Sequence, residues 1–259
     1  MESDRLIALS ARNFADWHEA SLNALGVRCK TDAALWRQLG TGGSPVYVSA
    51  ITLNPLIDPV SQIRQIEQIE ALRAGLPHAI IDSWARLDLS GLGYRRSAPQ
   101  PWYIREPGPM REKRLPDGFI VEEVRDEAAL AEFEVASWNG FESGDAVRAV
   151  GTGGQHHPDT LNDPRMRYFV GRLNGRVVAG SIAYIGDDIT GVFGVSTLPE
   201  YRRRGFGQAV SRAATLVAPD TLAHLEPSEQ AARMYRIMGY RQVGVHTHWF
   251  HPGTITQRN

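Results

Sequence analysis

The stretch VSTLPEYRRRGFGQ, residues 195–208, brings together residue types that handle anions. Gly205 and Gly207 carry no Cβ, so the chain can curl there and several backbone N–H groups can point at one spot. GQAVSRAATLVA (207–218) follows with helical apolar spacing, and the first turn of that helix adds the positive end of its dipole. Arginine at 202, 203 or 204 would add charge beside a bound phosphate. The chemistry on offer is the holding of a phosphorylated ligand at a helix N-terminus. A capped helix start with solvated arginines would use the same residues, and so would a nucleic-acid contact through the basic triplet.

The elements around this loop are legible in order. FIVEEV (119–124) alternates as a strand, and DEAALAEFEVASW (126–138) has helical spacing with an acidic start. MRYFVGRL (166–173), the turn pair Asn174-Gly175 and RVVAGSIAYI (176–185) predict a hairpin, and ITGVFGVS (189–196) a third strand. After the loop and its helix come a short buried-type strand, TLAHLE (221–226), and a helix, SEQAARMYRIMG (228–239), with Gly239 in the stop position. A last alternating strand, YRQVGVHTHWF (240–250), closes the series. The sum is a mixed α/β layer, antiparallel strands first and then strand–helix–strand–helix–strand.

Upstream, ADWHEASLNALG (15–26) and SQIRQIEQIEALRAG (61–75) read as helices, and PVYVSAITL (45–53) and HAIID (78–82) as strands. The polar run PGPMREKRLPDG (107–118), punctuated by proline and glycine, predicts a linker. Domains are therefore expected at 1–110 and 118–259, joined by 111–117. Gly93-Tyr94-Arg95, Trp102-Tyr103 and Pro107-Gly108 recur as Gly239-Tyr240-Arg241, Trp249-Phe250 and Pro252-Gly253, at offsets of 146, 147 and 145. Nearly constant offsets suggest two half-domains of one architecture.

Composition narrows the function. The 259 residues are 42% hydrophobic and 22% charged, with a formal net charge of −1. A protein that grips a nucleic-acid backbone usually carries a marked basic excess, so nucleic acid is not the expected partner. One cysteine, Cys29, forms no intrachain disulfide, which fits a reducing compartment. No run approaches 18 apolar residues and the N-terminal stretch has no apolar core behind a basic start, so neither membrane span nor signal peptide is expected. The expectation is a cytoplasmic protein.

The ordered pair of motifs decides among the readings of the loop. VSTLPEYRRRGFGQAV followed by LEPSEQAARMYRIMGY resembles the GNAT superfamily of acetyl-CoA-dependent N-acetyltransferases. Arg202-Arg203-Arg204-Gly205-Phe206-Gly207 fits the family's [Gln/Arg]-x-x-Gly-x-[Gly/Ala], and Met234-Tyr235-Arg236-Ile237-Met238-Gly239-Tyr240 its second signature. The resemblance covers roughly 118–259 and implies a GNAT-like acyltransferase fold, in tandem with an incomplete N-terminal copy. In the first half the position of the loop falls near DPVSQIRQIEQ (58–68), which has no glycine pair, so that half is expected to be a cofactor-free companion that supports or walls the acceptor site.

The resemblance also implies roles. The amides of Arg203, Arg204, Gly205, Phe206, Gly207 and Gln208 would hold the pyrophosphate of coenzyme A, with Arg202 the fixed motif position. Val195, Ser196 and Thr197 would pair with the pantetheine arm, and Tyr235 would protonate the departing thiolate. Ser228 stands where many members place a cofactor-contacting asparagine. Family members with a glutamate base carry it where this chain has Ala223; Glu226, which shares a strand face with His224, is the candidate base here, beside a rim carboxylate without a role or a water chain. Phe141 and Glu142 fall where the family shapes its acceptor pocket. His156, His157, His246 and His248 invite a metal reading, but no Cys or acidic ligand has fixed spacing with them, so no metal is expected and surface or acceptor-pocket histidines are. The expected reaction moves acetyl from acetyl-CoA to a primary amine of a small molecule or peptide, in a monomer or homodimer. Non-catalytic acyl-CoA binding or sensing is the alternative.

Overall fold

Five helices and twelve strands are built from residues 2–39, 47–72, 76–141 and 155–253, the part of the chain that the computed structural model describes. In chain order these are α1 (Glu2–Ala24), β1 (Cys29–Thr31), β2 (Leu35–Gln38), β3 (Ala50–Thr52), α2 (Pro59–Leu72), β4 (His78–Asp82), β5 (Arg95–Arg96) and β6 (Gln100–Arg105). There follow β7 (Phe119–Glu123), α3 (Glu127–Gly140), β8 (Met166–Leu173), β9 (Arg176–Ile185), β10 (Ile189–Thr197), α4 (Phe206–Thr215), β11 (Leu222–Leu225), α5 (Glu229–Ile237) and β12 (Arg241–His251). Two compact units result, Ile104–Arg241 and Met1–Tyr103 with Gln242–Asn259. The chain thus changes unit inside β6, before the expected 111–117, and the last strand groups with the N-terminal unit rather than with the residues that precede it.

In the unit Ile104–Arg241 the sheet runs β7-β8-β9-β10-β11, antiparallel except for the parallel β10–β11 pair. Asn174 (φ 50°) and Gly175 (φ 85°) are both left-handed, the conformation that two-residue hairpin loops require. Period-two alternation puts the helices on opposite faces. A Cβ at Gly180 would meet the Phe133 ring of α3 at 2.7 Å, while the neighbouring Ser181 hydroxyl donates to the Val210 carbonyl of α4 at 2.8 Å. Asp126 caps α3, its carboxylate accepting from the Ala129 N–H at 2.8 Å.

Residues 106–118 form no helix or strand, yet they are bound down as a strap. The buried Arg105 guanidinium donates to the carbonyls of Glu106, Gly108, Pro109 and Met238 at 2.8–3.0 Å. Glu112 pairs with Arg212 of α4 at 3.7 Å, and Leu115 packs onto Phe119 and Phe206, whose rings stack 4.3 Å apart.

In the other unit β1, β2 and β3 form an antiparallel meander, α2 crosses over, and β4 pairs parallel with β3. β12 then pairs antiparallel with β4. The same order, meander, helix, parallel strand, describes β8-β9-β10-α4-β11. α2 buries Ile66 and Ile69 against Leu35, Ile80 and Trp249, and α1 buries Phe14, Trp17 and His18 around Trp36 and Trp102. α1 begins thirteen residues before the helix expected at 15–26. Leu6, Ile7, Ala11 and Phe14 already carry the helical spacing, broken visually by the polar residues of its outer face. The sequence repeat also has a structural basis: Gly93 (φ 83°) and Gly239 (φ 93°) are left-handed stops, each followed by a buried tyrosine and an arginine that opens a strand.

Two core histidines in the unit Ile104–Arg241 are held neutral. Burial pushes the His156 imidazole down to about 4 and His224 down to about 3, with Glu134 and Glu226 opposing only in part. His156 packs against Phe133 and Tyr168, so it is a core group and not the surface or acceptor-pocket residue expected. His157 is half-buried, and its Nδ1 accepts from the Asp159 N–H.

Gly180→Ala forces a methyl into the fully buried Phe133 ring and should lower unfolding free energy by about 1–3 kcal/mol. Urea titration checks this as a lower midpoint at unchanged slope. An imidazole depressed in the folded state gives stability present above its unfolded value near 6.5 and lost as pH falls through the folded one. The urea midpoint should therefore fall from pH 6.5 to 4, and His156→Leu should flatten that fall; an unaltered slope in the variant contradicts the assignment.

Candidate active site

β10 is paired along its length with β9 but only briefly with β11. The parallel ladder covers Ile189–Gly191 against Leu222–His224 and goes no further. On the β9 side the register slips between Phe193 and Ser196, where Gly194 is left-handed (φ 58°). Such a slip bends the strand and increases its twist. Past it a cleft of about 750 Å³ opens, walled on one side by the end of β10 and the turn into α4, and on the other by α5.

The turn into α4 has the backbone of an anion nest. After Pro199–Tyr201, Arg203 (φ 62°) and Gly205 (φ 96°) are left-handed, and α4 starts at Phe206 with free first-turn N–H groups. Arg203 adopts this conformation without being glycine, a strain of about 1 kcal/mol that the surrounding fold must hold in place. Gly207 answers a different need: a Cβ there would lie 2.9 Å from the Thr197 hydroxyl, so the helix could not approach the strand end.

Of the residues singled out by sequence, Val195, Ser196, Thr197, Arg202, Arg203, Gly205, Gly207, Gln208, Ser228, Tyr235 and Phe141 all line this cleft. The arginine side chains divide their work. The Arg202 guanidinium donates to the carbonyls of Thr197 (3.2 Å) and Gly140 (2.9 Å), tying the strand end to the last turn of α3. Arg204 lies over the Tyr201 ring at 5.5 Å, outside the cleft lining. The Phe206 side chain belongs to the core, on Phe119.

Ser196 is buried, and among the described residues its hydroxyl makes no hydrogen bond. An orphaned hydroxyl in a cleft wall fits a ligand that brings polar groups, as the amide-bearing pantetheine arm of coenzyme A does. The nest beside it fits that molecule's diphosphate. Ser228 caps α5, accepting from the Ala231 N–H at 3.4 Å, and stays exposed.

Tyr235 is buried, its hydroxyl 3.2 Å from the Ser211 hydroxyl of α4 and its ring edge-on to Tyr240. Burial pushes its phenol up to about 12, with the Ser211 hydrogen bond acting the other way, so the group keeps its proton throughout the neutral range. Glu226, half-buried at the end of β11, is not part of the cleft lining, and Glu142 lies outside the described residues. Sequence reasoning missed Lys113, Gly140, Glu229, Gln230, Ala231 and Met234 as cleft residues. Ala231, one helical turn before Tyr235, could have been found from its spacing on α5; Gly140 and Lys113 carry no local signal.

Residues 127–240 match the model of the acetyltransferase (GNAT) family. No curated protein matches the chain. Among solved structures, the chain is similar to a GCN5-related N-acetyltransferase from Kribbella flavida (TM-score 0.65, 23% identity, 92% of this chain and 95% of that one). It is also similar to a functionally unknown conserved protein from Staphylococcus epidermidis (TM-score 0.61, 13% identity, 86% and 93%). A third is an acetyltransferase of the GNAT family from Novosphingobium aromaticivorans (TM-score 0.53, 17% identity, 90% and 96%), described as putative. At these identities the likeness is one of fold, spanning both units. No helix of the described residues is long and apolar enough to cross a membrane. With the family match laid over the cradle, the splayed strands and the buried tyrosine, residues 127–240 are a GNAT acetyltransferase domain.

Proposed function

We propose that the unit Ile104–Arg241 transfers an acetyl group from acetyl-CoA to a primary amine by direct attack, without a covalent enzyme intermediate. The observation that carries this is one cleft shared by the nest at 203–208, the β10 end that β11 leaves unpaired, and the buried phenol of Tyr235. The donor supplies an activated thioester carbonyl and a thiolate leaving group.

The amides of Arg203 to Gln208 hold the diphosphate, aided by the dipole of α4. Val195, Ser196 and Thr197 run beside the pantetheine arm as one strand beside another, and the Ser196 hydroxyl meets one of its polar groups. A backbone N–H near Val195 takes charge that develops on the carbonyl oxygen. Tyr235 protonates the thiolate, and the Ser211 hydroxyl stabilises the phenolate that this leaves. Glu226 accepts the ammonium proton through water, since it stands outside the cleft lining. Phe141, half-exposed at the cleft edge, meets a small-molecule or peptide acceptor together with Glu142.

The N-terminal unit shares the element order but connects β3 to α2 through LNPLID (53–58), which contains no glycine. We assign it no coenzyme A site. A second reading, acyl-CoA binding without turnover, draws on the position of Glu226 away from the cleft lining.

A panel of small amines and peptides incubated with acetyl-CoA, read by release of free thiol, separates the two. Turnover with at least one acceptor is expected, and Tyr235→Phe should lower kcat by about 10²–10³-fold at unchanged coenzyme A affinity. Silence across the panel with intact binding supports the second reading.

A further inference from the structure

The cleft has a cation that the family motif does not supply. Lys113, on the strap before β7, lines it beside Gly205, with Nζ and Cδ each 3.4 Å from the point where a Cβ on Gly205 would sit. Leu115 of the same strap reaches that point at the same distance. The strap is fixed there by Arg105, by the Glu112–Arg212 pair and by the packing of Leu115. The ammonium therefore sits over the left-handed glycine at which the nest is formed.

The charge at that point has work left to do. Arg202 gives its donors to the Thr197 and Gly140 carbonyls, and Arg204 lies on Tyr201. Among the described residues of the lining, Lys113 and Arg203 are the remaining cations, against one carboxylate, Glu229. Glu112, next to Lys113, is engaged by Arg212. Backbone N–H groups bind a diphosphate by dipoles alone; a flexible ammonium adds a full charge that can follow it.

We infer that Lys113 contacts the phosphates of coenzyme A, so that the segment expected to be a plain linker is a wall of the donor site. This rests on the proposed donor. It makes the strap part of the donor site as well as of the fold, and it assigns to a residue outside the 127–240 match a part in affinity.

The test is calorimetric titration of coenzyme A into the full chain, wild type, Lys113→Met and Lys113→Arg, from about 50 mM to about 1 M salt. Lys113→Met should bind about tenfold more weakly at low salt, as loss of one charge-assisted hydrogen bond does, and the gap should close as salt rises. Lys113→Arg should restore most of the affinity. Equal affinity of Lys113→Met and wild type overturns the inference, and so does a deficit that is the same at every salt concentration, which would mark lost packing. A wild type that binds no coenzyme A overturns the proposed donor itself, a separate result.

Discussion

Everything at the candidate site depends on where a parallel ladder stops. β10 and β11 exchange hydrogen bonds over three residue pairs and then part at Gly191 and His224. Strand edges are normally paired or covered, because unpaired N–H and C=O groups are costly when buried. A strand that keeps one partner and gives up the other has backbone groups to offer a ligand of extended shape. The register slip around Gly194 re-aims the same residues by bending the strand at the point of parting. The fold thus makes a ligand-sized gap inside a sheet without sacrificing the sheet.

Holding that gap open needs fastenings, and the loop residues supply them. Arg202 bridges the strand end to the last turn of α3, and Gly207 lets α4 come within contact of Thr197. Across the cleft, Ser228 caps α5 and Tyr235 reaches back to Ser211. Arg105 binds the strap and the end of α5 through one guanidinium. Motif residues that look like ligand contacts are in several cases structural ties, while the groups proposed to face the ligand are backbone amides and a lysine from elsewhere.

Local signals in the sequence were sufficient for most elements. Asn174-Gly175 fixes its hairpin because both residues tolerate left-handed backbone, and α3, α4 and α5 follow from apolar spacing and their starts. The glycine pair at 205 and 207 was legible for the same reason, since its demands are those of the backbone itself. What was not legible is whatever long-range pairing decides. β12 reads as the last strand of the second half, but Thr247 pairs with Asp82 and Phe250 with Ala79, which groups it with the N-terminal unit. His156 reads as a loop residue, and only the approach of Phe133 and Tyr168 makes it core. Lys113 reads as part of a charged linker until Arg105 and Leu115 fix the strap beside Gly205.

The central claim is that the parting of β10 from β11 and the nest that follows it together form a donor site. A crystal structure of the full chain with coenzyme A tests it directly. The account predicts phosphate oxygens within hydrogen-bond distance of amides in the 203–208 turn, with the pantetheine arm alongside Val195–Thr197. Coenzyme A bound elsewhere, with that turn and strand end contacting none of it, would contradict the account.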